Sequence, residues 1–231
     1  MTWGVWGHDL ATADMQALIE HCLELGITTF DHADIYGHYT TEEAFGKAWG
    51  GLSVPRSDVQ LVSKCGIRLV CKERPENRVK AYDLSKEYII QSAERSLRNL
   101  QTDHLDLLLV HRPSPLMQAD EVAAAFAELK ASGKVLNFGV SNFTPAQLDY
   151  LRAATPLVTN QVQASLLHTE PLYDGTFEQA LLHRMRPMAW SPLAGGQLFS
   201  DAGKTMRRLL ERIAGEQGAD VSAVAVAWLL A

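Results

Sequence analysis

Asp31 and Tyr36 lie close together in Ile-Thr-Thr-Phe-Asp-His-Ala-Asp-Ile-Tyr-Gly, residues 27–37. An acid and a phenol are candidates for proton transfer when a strand end and the loop beyond it carry them. The residues just before them favour that placement. Ile27, Thr28, Thr29 and Phe30 are β-branched or aromatic, follow the helix-stopping Gly26, and read as a short buried strand. Asp31 then falls at the carboxyl end of that strand and Tyr36 in the loop. In parallel α/β folds, ligand chemistry gathers outside the carboxyl ends of the strands. Taken alone, the pair has a plainer explanation: a capping aspartate and a tyrosine packed on the rim.

Other strand-like runs end the same way. Val59 to Ser63 ends at Lys64, and the nearly all-apolar Leu105 to Val110 ends at His111. Val135 to Val140 ends at Ser141-Asn142, Val158 to Val162 carries Asn160 and Gln161, and Met188 to Trp190 ends in an indole. Core strands need nothing polar at their tips, so titratable and amide groups on successive tips point to an active site. A free phenol loses its proton near pH ~10 and a free lysine ammonium near ~10.4. An ammonium beside a phenol favours the phenolate and makes the phenol a better acid. An aspartate keeps the ammonium charged and oriented, and a histidine at the same mouth can hydrogen-bond a substrate oxygen. Such a tyrosine can protonate a carbonyl oxygen as hydride reaches the carbon, with no covalent intermediate.

Helices must carry the chain back between these strands. Ala13–Leu25 is amphipathic, with Leu18, Ile19, Cys22 and Leu25 on one face. Thr41–Trp49 is stopped by Gly50-Gly51, and Ser85–Leu100 opens on a serine cap. Further helices are expected over 120–131, from Thr144-Pro145, and over 176–183, 204–216 and 221–230. Residues 67–83 are irregular and charged, and read as a lid or a mobile loop. The alternation of strand and helix demands a parallel sheet with helical crossovers. Counting Met1 to Trp6 as the end of a strand, seven strands are expected. No Gly-x-Gly-x-x-Gly turn marks an open doubly wound sheet. The expectation is therefore a (β/α)8 TIM barrel, one domain over 1–231, in which this chain lacks part of strand 1 and all of strand 8. A barrel without its last strand leaves unpaired edges. The native product is accordingly expected to run past Ala231, with room for more chain before Met1.

Composition narrows the class. Hydrophobic residues make up 47% and charged residues 21%, as in soluble globular proteins. A net charge of −6 gives no basic footprint for nucleic acid. Cys22, Cys65 and Cys71 are few and odd in number, which fits a reducing cytosol better than a disulfide framework. No apolar run is long enough to span a membrane, and Met-Thr-Trp-Gly does not open a signal peptide.

Six segments together resemble the aldo-keto reductases, in order and in relative spacing. They are Phe-Asp-His-Ala-Asp-Ile-Tyr-Gly (30–37), Val-Ser-Lys-Cys-Gly (62–66), Leu-Leu-Leu-Val-His-Arg-Pro (107–113), Gly-Val-Ser-Asn-Phe (139–143), Asn-Gln-Val (160–162) and Trp-Ser-Pro-Leu-Ala-Gly-Gly (190–196). The nearest likeness is to bacterial oxidoreductases that read Asp-His-Ala-Asp-Ile-Tyr-Gly. The resemblance implies a (β/α)8 barrel and NADPH-dependent reduction of an aldehyde or ketone, by a cytoplasmic enzyme with a small carbonyl substrate. It implies Tyr36 as the acid, Lys64 as its activator, Asp31 as the partner of Lys64, and His111 as the group orienting the carbonyl. Ser141, Asn142 and Gln161 would hold the nicotinamide carboxamide, and Trp190 would stack on the ring. Ser191, Leu193 and the Gly195-Gly196 turn would lie against the pyrophosphate. The family's Gly-rich, Arg-containing segment for the adenosine 2′-phosphate has no counterpart after Val221, so the choice of NADPH over NADH rests on resemblance alone. The resemblance also admits another role, a cofactor-binding barrel acting through a partner protein, as potassium-channel β subunits of this family do.

The remaining chemistry-bearing residues have structural readings. His32 should point away from Asp31 by strand alternation. Asp34 is expected in a local turn bond, and Cys65 as a buried thiol. Arg207 and Arg208 read as a solvated helix face rather than a phosphate contact. Asp31, His32, Asp34 and His111 lack the paired spacing of metal ligands, and no metal is expected. Trp3 and Trp6 could line a substrate entrance or pack on a barrel rim.

Overall fold

Short apolar runs and amphipathic helices alternate along the chain, and they fold as parallel βα repeats. The computed structural model describes residues 3–231. Two compact units result, one running to Ser141 with Ala146–Val158 added, the other comprising Asn142–Pro145 and Thr159–Ala231.

The elements up to Arg152 are α1 (Thr12–Glu24), β1 (Thr29–Asp31), the single turn α2 (Tyr36–Tyr39), α3 (Thr41–Trp49), β2 (Gln60–Cys65), β3 (Ile67–Arg68), β4 (Ala81–Tyr82), α4 (Lys86–Asn99), β5 (Leu107–Val110), α5 (Ala119–Ala131), β6 (Phe138–Ser141) and α6 (Pro145–Arg152). In the first unit β1, β2, β5 and β6 lie side by side in that order, all parallel. Leu108, Leu109 and Val110 are fully buried, because β5 is covered on both faces as a central parallel strand must be. Helix α4 turns Ile89, Ala93 and Leu97 inward and α5 turns Val122, Phe126 and Leu129 inward. The Phe126 ring stacks on Phe138 of β6 at 4.1 Å. Gly46 of α3 has no room for a side chain: a Cβ there would meet the Asn99 carbonyl oxygen at 2.0 Å. Only glycine lets α3 approach the end of α4 so closely.

Register sets the level of the strand tips. Cys65 pairs with Val110, and Val110 with Val140. Lys64, His111 and Ser141 therefore emerge at one end of the sheet.

The second unit holds β7 (Asn160–Gln163), α7 (Thr176–Leu182), β8 (Met188–Trp190), α8 (Lys204–Gln217) and α9 (Val221–Leu230). Strands β7 and β8 pair in parallel, with Gln161 opposite Met188 and Gln163 opposite Trp190.

Two expectations need correction. Residues 3–8 form bends and turns, not the end of a strand; Met1 and Thr2 lie outside the described residues. The segment after Gly66 is not wholly irregular, since β3 and β4 form an antiparallel pair, Ile67 opposite Tyr82 and Arg68 opposite Ala81. Two-residue strands are too short to show a hydrophobic period, so the pairing left no pattern to read. Among the described residues, no helix is long and apolar enough to cross a membrane.

Candidate active site

Lys64 is a tightly held polar side chain of the first unit. It is 1% exposed and sits near the carboxyl end of β2. A buried ammonium is costly unless it is paired and hydrogen-bonded. Its Nζ donates to Asp31 Oδ1 and Oδ2, both at 2.8 Å, and to the His32 carbonyl oxygen at 2.7 Å. It also lies 3.4 Å from Tyr36 Oη, where the phenol oxygen accepts. Because the phenol accepts from the ammonium, its own O–H is left to point elsewhere.

Asp31 comes from the last residue of β1 and Tyr36 from the turn that follows. Phenol, ammonium and carboxylate thus converge from two adjacent strands. His111 follows β5, and its ring meets the Tyr36 ring edge-on at 5.9 Å. Burial holds the His111 imidazole down to about 3, helped by the positive charge of Lys64. It is therefore neutral at neutral pH, able to donate one N–H without adding a charge. The four residues proposed from the strand ends stand together.

The second group lies elsewhere in the chain. Ser141, the last residue of β6, is buried in the first unit. In the second unit, Asn142 has a left-handed backbone, φ 61°. Its backbone N–H donates to the Gln161 carbonyl oxygen at 2.9 Å, and its Oδ1 accepts from Trp190 Nε1 at 2.9 Å. Gln161 is buried. Strand β7 thus positions the Asn142 backbone, and Asn142 fixes the orientation of the Trp190 ring. After Trp190 the backbone is left-handed at Ser191, Ala194, Gly195 and Gly196. A Cβ at Gly196 would meet nothing within 4 Å, and one at Gly195 only Ser191 Oγ at 4.0 Å. This loop presents bare backbone to open space, as close approach of a phosphate requires. Leu193 precedes it, half-buried. Arg207 is no free cation on a helix face: its Nη1 donates to the Leu198 and Ser200 carbonyl oxygens at 3.0 Å, just past the loop.

Several neighbours have roles that the sequence did not disclose. The backbone of His32, not its imidazole, serves Lys64; the ring is fully buried against Phe45, centroids 4.4 Å apart. Asp34 reaches well beyond its own turn. Its Oδ2 accepts from Ser92 on α4, and its backbone N–H donates to the Lys64 carbonyl oxygen at 3.0 Å. Trp3 packs on Phe30 and Phe45, whereas Trp6 is half-exposed with its ring 6.3 Å from that of Tyr36. Among the described residues no three of His, Cys, Asp and Glu gather as a metal-binding group.

Parallel βα repeats with a phenol, an ammonium, a carboxylate and an imidazole at the strand ends fit an oxidoreductase of the barrel class. The chain belongs to the aldo/keto reductase family, whose model matches residues 1–231, and its fold is of the (β/α)8 class. It is 49% identical over 232 residues to oxidoreductase YdhF of Escherichia coli, covering 99% of this chain and 77% of that protein. It is 47% identical over 239 residues to a 6-dehydroglucose reductase of Agrobacterium fabrum, covering 100% of this chain and 80% of the relative. Among solved structures, an aldo/keto reductase of Klebsiella pneumoniae in complex with NADP and acetate superposes with a TM-score of 0.80. That match has 29% identity and covers 98% of this chain and 74% of the other.

Proposed function

We propose that the chain reduces an aldehyde or ketone to an alcohol with NADPH, using Tyr36 as the general acid. The observation that carries this reading is the buried ammonium of Lys64, held at 2.8 Å by Asp31 and in contact with Tyr36 Oη. Reduction needs a hydride at the carbonyl carbon and a proton at its oxygen. When bound, NADPH supplies the hydride. Tyr36 donates the proton, and Lys64 stabilises the phenolate left behind. Asp31 and the His32 carbonyl keep Lys64 aimed. The neutral His111 N–H orients the carbonyl oxygen before proton transfer.

The residues present fit the cofactor. Ser141, Asn142 and Gln161 offer the donors and acceptors that a carboxamide needs. Trp190, fixed by Asn142, offers a ring for stacking. Ser191, Leu193 and the open Gly195-Gly196 backbone suit a pyrophosphate. The choice of NADPH rests on the family and on the NADP-bound Klebsiella pneumoniae enzyme. We read residues 1–231 as one catalytic domain because the family model runs unbroken through both units. The free thiols of Cys22, Cys65 and Cys71 suit the cytoplasm.

The test is turnover of a carbonyl panel, followed by loss of NADPH absorbance. The panel includes 6-dehydroglucose, because the Agrobacterium fabrum relative is named for it. Tyr36→Phe should lower kcat by roughly a hundredfold or more, in line with the loss of a general acid. If the wild type oxidises no more NADPH than this variant on any carbonyl, the reading fails.

A further inference from the structure

The turn after Tyr36 has an unusual backbone. Gly37, His38 and Tyr39 all lie in the left-handed region, with φ of 59°, 57° and 69°. Glycine adopts this readily, but histidine and tyrosine do so at a cost that neighbouring structure must offset. The offset is visible at Tyr39. Its side chain is buried, and its hydroxyl donates to the Ile67 carbonyl oxygen at 3.2 Å while accepting from the Leu69 N–H at 2.9 Å. The Arg74 guanidinium lies over its ring at 4.6 Å. Burial pushes the Tyr39 phenol up, so it stays protonated and able to make both bonds. Ala33, Ile35, Tyr39 and Ile67 form a small buried cluster, and Tyr36 packs against it.

Both partners of the Tyr39 hydroxyl are on or beside β3, which leaves β2 directly after Lys64, Cys65 and Gly66. One hydroxyl therefore ties the turn that carries the phenol to the strand that carries the ammonium. We infer that Tyr39 is a positioning residue: its hydroxyl, clamped between the Ile67 carbonyl and the Leu69 amide, holds the strained 37–39 turn so that Tyr36 Oη stays within reach of Lys64 Nζ. The inference rests on the proposed role of Tyr36. It assigns to the β3–β4 pair the work of a brace for the acid.

Tyr88 provides the control. From α4 its hydroxyl also donates to the Ile67 carbonyl oxygen, at 3.1 Å, and it stands beside the Tyr39 hydroxyl, but it takes no part in the bond from the Leu69 N–H. Tyr39→Phe and Tyr88→Phe each weaken the hold on β3; only the first removes the hydroxyl to which the Leu69 N–H donates, and with it the turn's tie to β3. Tyr39→Phe should lower kcat by roughly ten- to a hundredfold, as small misplacements of a reacting group do, with KM for NADPH and carbonyl within about twofold. Tyr88→Phe should stay near wild type. A second readout needs no turnover: in cofactor-free protein labelled with ¹³Cζ-tyrosine, the Tyr36 resonance, assigned by its loss in Tyr36→Phe, should move in Tyr39→Phe and stay in Tyr88→Phe. Equal effects of the two variants on that resonance, or an unmoved resonance with only a lower melting temperature in Tyr39→Phe, would overturn the inference. If wild type turns over no carbonyl above Tyr36→Phe, the reductase reading fails, and the resonance still decides whether Tyr39 positions Tyr36.

Discussion

Lys64 shows how one side chain organises a site. Its three ammonium hydrogens serve a carboxylate, a backbone carbonyl and a phenol, so losing any partner redistributes the others. Asp34, two residues before Tyr36, is a different case: a buried carboxyl that burial pushes up to about 7, partly countered by the Ser92 hydroxyl. In the unfolded chain an aspartate titrates near ~3.9. Between those values the folded chain keeps a proton that the unfolded chain has released, so stability falls as pH rises through the window. Asp34→Asn removes that ionisation. In urea unfolding, the variant should gain on wild type steadily from about pH 4 to 7 and level off above. A pH-independent difference would mean that Asp34 is already ionised in the folded chain at low pH. His111 has the opposite sign: held down to about 3, it contributes stability that is complete above about pH 6.5 and lost as pH falls toward 3. Both proteins carry it, so it cancels from the comparison.

Strands deliver these groups, and their starts are tied as firmly as their tips. Arg56, just before β2, donates to Thr102 Oγ1 at 2.7 Å, to the Val59 and His104 carbonyl oxygens at 2.8 and 2.9 Å, and to Asp106 Oδ2 at 2.7 Å. The same Asp106 oxygen accepts from the Leu61 N–H at 2.8 Å. This lattice locks the entry of β2 against the entry of β5. Arg56→Ala should cost about 2–4 kcal/mol in urea unfolding, because it leaves a mostly buried carboxylate without its cation and takes a donor from the Val59 and His104 carbonyls. It lies at the end of the sheet away from Tyr36 and should leave the KM for carbonyl unchanged. A loss below about 0.5 kcal/mol would place Arg56 among ordinary surface ion pairs.

For the chain as a whole, a bound dinucleotide is expected to couple to folding by mass action. At a hundred times its Kd, a ligand that binds only the folded state adds about 2.7 kcal/mol. For a chain of this size that is a rise in Tm of roughly 5–10 °C. Thermal unfolding with increasing NADPH should show this rise, and Trp190→Ala should reduce it; an unchanged Tm at saturating NADPH would argue against cofactor binding. NADH in a parallel series decides the preference that no residue after Val221 reveals.

Strand tips, helix periods and the motif set are local properties, and they were legible. Asp31, Lys64 and His111 end apolar runs, and parallel register alone brings such ends to one level. Helices over Thr41–Trp49 and Val221–Leu230 stand within the expected bounds, although Thr41 lies inside the first and no side-chain cap opens it. Contacts made across many residues were not legible. The bond from Ser92 to Asp34 joins positions 58 apart, the hold of Tyr39 on β3 closes a gap of 28, and the clamp on Arg56 reaches nearly as far as the first. A hydrogen bond between distant residues leaves no period or spacing in the chain. It exists only once packing has brought its donor and acceptor together, so the residues of the candidate site were written locally while their braces were decided by the folded chain.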